Sequence, residues 1–249
     1  MNLGAWFTDP ANWTGPGGVP TRVLEHLYYS GLALVIGILI AVPIGAAVGH
    51  TGRGGFLVVG IANWLRSLPD LGLLILMVLL VGISLISVTV ALLVLAIPPL
   101  LAGTYAGVAN VDRSVVDAAR GVGMRERDIL LRVELPNALP LLLGGLRAAA
   151  LQVIATTAIA AIASFGGLGR YLIDGQAYRD YTEMAAGAVL IAVLALVVEG
   201  VLAGVQRLVV SPGLRAVDTR TRPPAEPAND PTSPAPTDRS SHDMAGVNS

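Results

Sequence analysis

The sequence predicts an all-α, polytopic membrane protein: a helical bundle with about five transmembrane helices. Of the 249 residues, 54% are hydrophobic and 13% are charged, about half the charged fraction of an average soluble domain. The mean hydropathy is +0.69. Several uncharged segments reach or exceed the roughly 20 residues that a helix needs to cross about 30 Å of hydrocarbon.

The first 24 residues are predicted to form an arm outside the spans. They lack the basic start and apolar core of a cleavable signal peptide. Trp6, Phe7 and Trp13 lie among glycine and proline residues, and aromatic rings favour the headgroup zone of a bilayer. We therefore expect residues 1–24 to be either an interfacial extracytoplasmic arm or a disordered leader.

Residues 25–210 are predicted to form the transmembrane domain. The uncharged run from residue 71 to residue 111 is about twice as long as one crossing needs, so it must turn, and we place the turn at residues 82–87. The span before this turn begins near residue 57 and is interrupted by Pro69. The other four predicted spans cover residues 27–49, 88–108, 138–163 and 185–209. An odd number of spans puts the two termini on opposite sides of the membrane.

The arginine residues predict the orientation. Five of them lie in the loop at residues 110–136, whereas the opposite side carries only Arg22, Arg170 and Arg179. Positively charged loops stay in the cytoplasm, so this loop and the C-terminus are predicted to be cytoplasmic and the N-terminus to lie outside. The segment 211–249 is rich in Pro, Ser and Asp and is predicted to be a disordered cytoplasmic tail.

The loop at residues 110–136 contains as many acidic residues as arginines, so its charge is nearly balanced. Its apolar residues alternate with charged ones at helical spacing, and Gly121 and Gly123 interrupt the pattern. This predicts two short amphipathic helices joined by a glycine turn. We expect Pro136 to end the second helix before the next span. Such an element can offer one face to a cytoplasmic partner.

The spacing from Asp117 to Pro136 resembles the EAA motif of ABC importer permeases. That motif has Glu-Ala-Ala, three residues, Gly, nine residues, Ile, any residue, then Leu-Pro. Here the stretch "DAARGVGMRERDILLRVELP" matches at every step, with Asp117 in place of Glu and Val133 in place of Ile. Further stretches at 68–83, 103–108 and 145–175 resemble the osmoprotectant branch, whose members carry glycine betaine, choline, carnitine or proline betaine. The resemblance implies a MetI-like permease fold.

This resemblance implies an assembly in the cytoplasmic membrane of a bacterium. Two permease subunits, identical or sister chains, would form the pathway, and their EAA loops would dock onto two cytoplasmic ABC ATPase subunits. A separate extracytoplasmic substrate-binding protein would meet the loop at residues 164–184. The residues expected at the ATPase contact are Asp117, Ala118, Ala119, Gly123, Met124, Arg125, Leu135 and Pro136.

The chain is expected to couple transport rather than to catalyse a reaction. It contains no GxxxxGK[ST] phosphate loop, so ATP must bind to the partner subunit. It also has no cysteine, which excludes a disulfide framework and a cysteine nucleophile. We expect no catalytic residue, cofactor or metal site in this chain, and its net charge of −1 gives no indication of nucleic-acid binding.

Four charged residues lie within the predicted spans: Arg66, Asp70, Arg147 and Glu199. Each would cost about 2.5–3.5 kcal/mol at the bilayer centre, so we expect them to face inward in pairs. Glu199 is predicted to pair with Arg147 or Arg66, and Asp70 to meet Arg66 one helical turn away. These pairs would either fix packing or gate the pathway. Further candidates for lining the pathway are Thr156, Thr157 and Ser164.

Other functions are compatible with a polytopic bundle. A secondary transporter would be expected to show internal repeats and ion sites near the midplane, and no convincing repeat is present. An intramembrane protease would need a set of catalytic or metal-binding side chains, and neither GxSG nor HExxH occurs. Among ABC permeases, methionine-type members share a stretch close to "GGLG" at 166–169, so transport of methionine or another amino acid is the alternative.

Overall fold

The structure, a computed structural model, describes residues 2–210, and the predicted tail 211–249 lies outside the described residues. Every regular element in the described part of the chain is helical, which confirms the predicted all-α class. The helices are α1 Leu3–Thr8, α2 Val19–Thr51, α3 Gly55–Arg66, α4 Asp70–Val81, α5 Leu85–Ala109, α6 Arg113–Gly121, α7 Glu126–Ile129, α8 Leu135–Thr157, α9 Gly169–Tyr178 and α10 Tyr181–Val209.

Four helical segments within residues 2–210 are long and apolar enough to cross a membrane. They are α2, α5, α10 and a continuous helical stretch over residues 126–163. The consecutive helices α3 and α4 make a fifth span if the pair is counted as one. The prediction of about five spans is therefore in agreement with the structure.

Helix α5 forms the centre of the bundle because small residues let its two neighbours approach closely. It packs against α2 on one side and α8 on the other. A Cβ atom added to Gly45 of α2 would lie 2.9 Å from the Thr104 Cβ, and one added to Gly145 of α8 would lie 2.6 Å from the Pro99 carbonyl oxygen. Such close backbone approach is how small residues strengthen helix packing in membranes.

The span formed by α3 and α4 is broken at residues 67–69, where the two helices meet at an angle of 86°. The prediction placed the interruption at Pro69, which immediately precedes α4. Each helix has 12 residues and is therefore about 18 Å long, too short to cross the hydrocarbon alone. Helix α3 follows the end of α2, and α4 ends just before α5 begins. The break therefore lies between the two membrane surfaces.

Pro136 does not end a helix, contrary to the prediction. The chain continues from α7 through a π-helical turn at Leu130–Glu134 directly into α8. Pro136 lies in the first turn of α8, and the amide of Leu135 donates to the Leu130 carbonyl in the wider π pattern. Pro136 therefore lies inside a continuous helical stretch, and the π-helical turn immediately before it accommodates a residue that has no amide to donate.

The N-terminal arm is folded rather than disordered, and its place at the membrane interface stays a prediction. Helix α1 is followed by a 3-10 turn at Pro10–Trp13. The Trp6 ring packs edge-on against Tyr171, with ring centroids 5.4 Å apart, and the Trp13 indole donates a hydrogen bond to the Phe7 carbonyl at 2.8 Å. Tyr171 belongs to α9, which occupies the middle of the predicted 164–184 loop.

Candidate coupling surface and membrane pathway

Helices α6 and α7 form the predicted pair of short amphipathic helices. Asp112 caps α6 by accepting a hydrogen bond from the Ser114 amide at 2.9 Å. The amide and hydroxyl of Ser114 lower the pKa of the Asp112 carboxyl, so this cap is present at neutral pH and is lost as the pH falls through that lowered pKa. Gly123 has a φ of +83°, a left-handed conformation that favours glycine, and it turns the chain between the helices.

The inner face of this helix pair has its own small core. Val116, Ala119 and Ile129 are buried there, and Met124 packs against them. Ala119 therefore supports the fold rather than offering its side chain to a partner. The outer face exposes four of the residues that were predicted to contact the ATPase, namely Asp117, Ala118, Gly123 and Arg125. Leu135 is half-buried and Pro136 is exposed at the base of α8.

Arg120 holds the two helices together through charge-assisted hydrogen bonds. Its guanidinium donates to both carboxylate oxygens of Glu126, at 2.8 Å and 3.1 Å, and to Asp117 at 3.3 Å. The hydrogen bonds to Glu126 raise the pKa of Arg120 further above its ordinary value. Asp117 remains 70% exposed in its side chain, so its free oxygen is available to a partner.

His50, at the end of α2, contacts Glu126 of α7 and Glu134 of the following π-helical turn, which no spacing rule predicts. Its Nδ1 atom lies 2.5 Å from Glu134 Oε2, and its Nε2 atom lies 3.3 Å from Glu126 Oε2. The Glu134 side chain is only 2% exposed. A buried polar contact therefore joins the end of the membrane-spanning helix α2 to Glu134, in the π-helical turn that follows α7.

Arg147 and Glu199 form a pair between α8 and α10, one of the two pairings predicted for Glu199. Arg147 Nε donates to Glu199 Oε1 at 2.9 Å, and Nη1 donates to Gln206 Oε1 at 2.8 Å. Glu199 Oε2 is buried and has no hydrogen-bond partner within residues 2–210. The pairing compensates two charges at membrane depth. Whether it gates the pathway or only fixes packing stays a prediction.

The predicted contact between Asp70 and Arg66 is wrong. Asp70 Oδ2 instead accepts hydrogen bonds from Gln152 at 3.1 Å and from Thr156 at 3.0 Å, both on α8. Arg66 makes no hydrogen bond or ion pair with any residue of the described range 2–210. The physical reason is the 86° break between α3 and α4, which removes the geometry by which residues four apart on one helix meet.

The three remaining pathway candidates lie in different surroundings. Thr156 is buried beside Asp70. Thr157 is fully buried and bonds through its hydroxyl to Ser30 of α2 at 2.9 Å, which is a packing contact. Ser164 ends the 3-10 turn Ala158–Ala163 with a φ of +63° and is exposed. Only Thr156 therefore adjoins the intramembrane charges.

A pocket that was not predicted from the sequence lies at the end of the bundle opposite α6. It has a volume of about 450 Å³ and is lined by Glu25, Tyr28, Tyr29 and Phe165, with two leucines. Tyr29 and Phe165 meet edge-on with centroids 6.0 Å apart. The signal that could have found it is the adjacent acidic and aromatic residues at the start of α2, in a chain that is only 5% aromatic.

A bundle of about five spans with a charged helix pair exposed at one end defines the permease subunit of an ATP-binding-cassette importer. Residues 33–216 match the family described as binding-protein-dependent transport system inner membrane component. That match covers more than half of the chain, and the chain belongs to this family. It is a transport subunit, and ATP hydrolysis in such importers is carried out by a separate ATPase.

Curated relatives extend over most of the chain. It is 32% identical over 204 residues to the glycine betaine/carnitine/choline transport system permease protein OpuCB of Bacillus subtilis, covering 82% of this chain and 94% of that protein. It is 31% identical over 204 residues to the osmoprotectant import permease protein OsmW of Salmonella typhimurium, covering 80% and 95%. These relatives confirm the resemblance found in the sequence.

Solved structures confirm the MetI-like fold. The inward-facing MetNI methionine ABC transporter matches with a TM-score of 0.69 and 23% identity, over 82% of this chain and all of that chain. An amino acid ABC transporter crystallised with histidines matches with a TM-score of 0.55 and 19% identity, over 76% and 91%.

Proposed function

We propose that this permease imports small quaternary amines, namely glycine betaine, choline, carnitine or proline betaine. The observation that carries the proposal is the extent of the likeness to OpuCB, whose name specifies glycine betaine, carnitine and choline, and to OsmW, which is named for osmoprotectants; the chain covers almost the whole length of both. The pocket lined by Tyr28, Tyr29 and Phe165 supports it, since aromatic faces attract a quaternary ammonium ion. The alternative is import of methionine or another amino acid.

Coupling is proposed to run through the exposed face of α6 and the turn at Gly123. Two cytoplasmic ATPase subunits would each hold one such face, with Asp117 paired to a basic residue across the contact. The ATPases approach each other when they bind ATP and would draw these helices with them. The contacts of His50 with Glu134 and Glu126 would pass this movement to α2, and the continuous stretch from α7 to α8 would pass it to the pathway.

The rest of the assembly follows from the same proposal. A second permease, identical or a sister chain, would complete the pathway. A substrate-binding protein would deliver the amine at the outer surface, near α9. The N-terminus would lie outside and the C-terminus in the cytoplasm of a bacterium, as the arginine distribution predicts. The chain would bind no cofactor, because ATP belongs to the partner subunit.

The proposal is tested by reconstituting the permease with its ATPase and binding protein in liposomes. Uptake of radiolabelled glycine betaine should require internal ATP and should be reduced by unlabelled choline or carnitine, but not by methionine. A proton or sodium gradient without ATP should drive no uptake. Uptake that follows an ion gradient would instead indicate a secondary transporter, and inhibition by methionine alone would indicate the amino-acid alternative.

A further inference from the structure

A cavity lies beside the break between α3 and α4, and its wall combines charged and amide side chains with apolar ones. It has a volume of about 210 Å³, and its walls include Arg66, Asp70 and Gln152 with the two consecutive prolines of α5, Pro98 and Pro99. Pockets for drug-sized ligands have volumes of roughly 300–1,000 Å³. The smaller volume here suits a molecule of amino-acid size.

The cavity holds one positive and one negative side chain that do not neutralise each other. Arg66 has no partner within the described residues 2–210, and no ion pair joins it to Asp70. Asp70 is held in place through Oδ2 by Gln152 and Thr156, while Oδ1 makes no hydrogen bond to any residue in that range. The Arg66 guanidinium and the Asp70 Oδ1 atom can therefore each still bind a group of opposite charge.

The depth of the cavity in the membrane and its place at a broken helix also favour a role in transport. The break lies between the membrane surfaces, where a guanidinium facing lipid would be costly, so such charges mark pathways or pair with partners. In secondary transporters, helices that are broken near the bilayer midplane form substrate sites, and the break between α3 and α4 is an interruption of the same kind. Helix α4 begins at Asp70, so this carboxylate stands at the break, in the wall of the same cavity as Arg66.

We propose that this cavity is a substrate site of the permease that takes a small zwitterion. Arg66 would bind the carboxylate of the substrate, and Asp70 Oδ1 would face its ammonium group. The assignment rests on the proposed function and narrows its set of substrates. Glycine betaine and carnitine carry both charges, whereas choline has no carboxylate that Arg66 could bind. The permease would thus discriminate between quaternary amines independently of the binding protein.

The test is equilibrium dialysis of radiolabelled glycine betaine against the permease–ATPase complex in lipid nanodiscs, without the binding protein. The wild type should bind the label saturably, and Arg66→Gln should weaken binding roughly tenfold or more, as expected for loss of a charge-assisted hydrogen bond. Arg66→Lys, which keeps the charge, should fall between the two. Arg53→Gln is the matched control, because Arg53 lies in the exposed turn before α3, and it should bind as the wild type does.

Competition in the wild type tests the same claim without a substitution, so a poorly folded variant does not compromise it. Unlabelled carnitine should displace the label at least tenfold more effectively than choline. The site assignment is overturned if the wild type shows no saturable binding, if Arg66→Gln binds equally well, or if choline competes equally. A complex that binds a different zwitterion through Arg66, yet shows no ATP-driven uptake of quaternary amines, would refute the proposed substrates and leave this site standing.

Discussion

Replacing His50 by alanine should destabilise the bundle at the end that carries α6 and α7. The Glu134 side chain is 2% exposed, and His50 Nδ1, 2.5 Å away, is its only partner within residues 2–210. Removing the imidazole leaves a buried carboxylate alone, which costs about 3–5 kcal/mol. Glu126→Gln provides the comparison: Glu126 lies 3.3 Å from the same imidazole and also pairs with Arg120, but its side chain is 58% exposed. An exposed pair contributes about 0–1 kcal/mol.

Equilibrium unfolding of the purified permease in mixed SDS–detergent micelles measures both substitutions. The free energy of unfolding should fall by about 3–5 kcal/mol for His50→Ala and by less than about 1 kcal/mol for Glu126→Gln. The double variant His50→Leu with Glu134→Leu should recover much of the loss, because no buried charge is left without a partner. Equal losses for His50→Ala and Glu126→Gln would refute the reasoning.

Three further predictions concern packing, the intramembrane pair and docking. Gly145→Ala should lower the free energy of unfolding by about 1–3 kcal/mol, because the added Cβ would lie 2.6 Å from a backbone oxygen of α5. Gly144→Ala should not, because its Cβ would meet no neighbouring atom of the described residues within 4 Å. Equal effects of the two substitutions in the same unfolding assay would contradict this. Arg147→Glu should abolish uptake, and adding Glu199→Arg should restore part of it; no recovery would refute a functional pair. Asp117→Arg should prevent copurification of the ATPase, and an intact complex would show that Asp117 does not contribute to docking.

Sequence reasoning was most successful where a local pattern determines local structure. The glycine turn at Gly123 and the amphipathic helices on either side were predictable because capping, periodicity and positive φ depend on neighbours in sequence. The interruption at Pro69 was predictable for the same reason. The pairing of Arg147 with Glu199 could be anticipated as one of two options, since both residues fall at a similar depth in the membrane and neither charge can face lipid.

The errors occurred where the result depends on how helices are rotated and bent relative to each other. Asp70 was assigned to Arg66 because the two are four residues apart, but the bend at Pro69 directs Asp70 towards α8. The contact between His50 and Glu134 joins residues 84 positions apart, and no spacing rule identifies it. Pro136 was expected to stop a helix, and only the π-helical turn before it shows how the helix continues.

Site-directed cross-linking gives the most direct test of the central claim that the face of α6 and the Gly123 turn binds the ATPase. The chain has no cysteine, so one introduced at Val122, which is 80% exposed, can be labelled uniquely with a maleimide–benzophenone reagent. On illumination of the assembled transporter, Val122→Cys should cross-link to the ATPase. Tyr178→Cys, 83% exposed at the opposite end of the bundle, should not. Absence of an ATPase adduct at Val122, or an equal yield at Tyr178, would contradict the account.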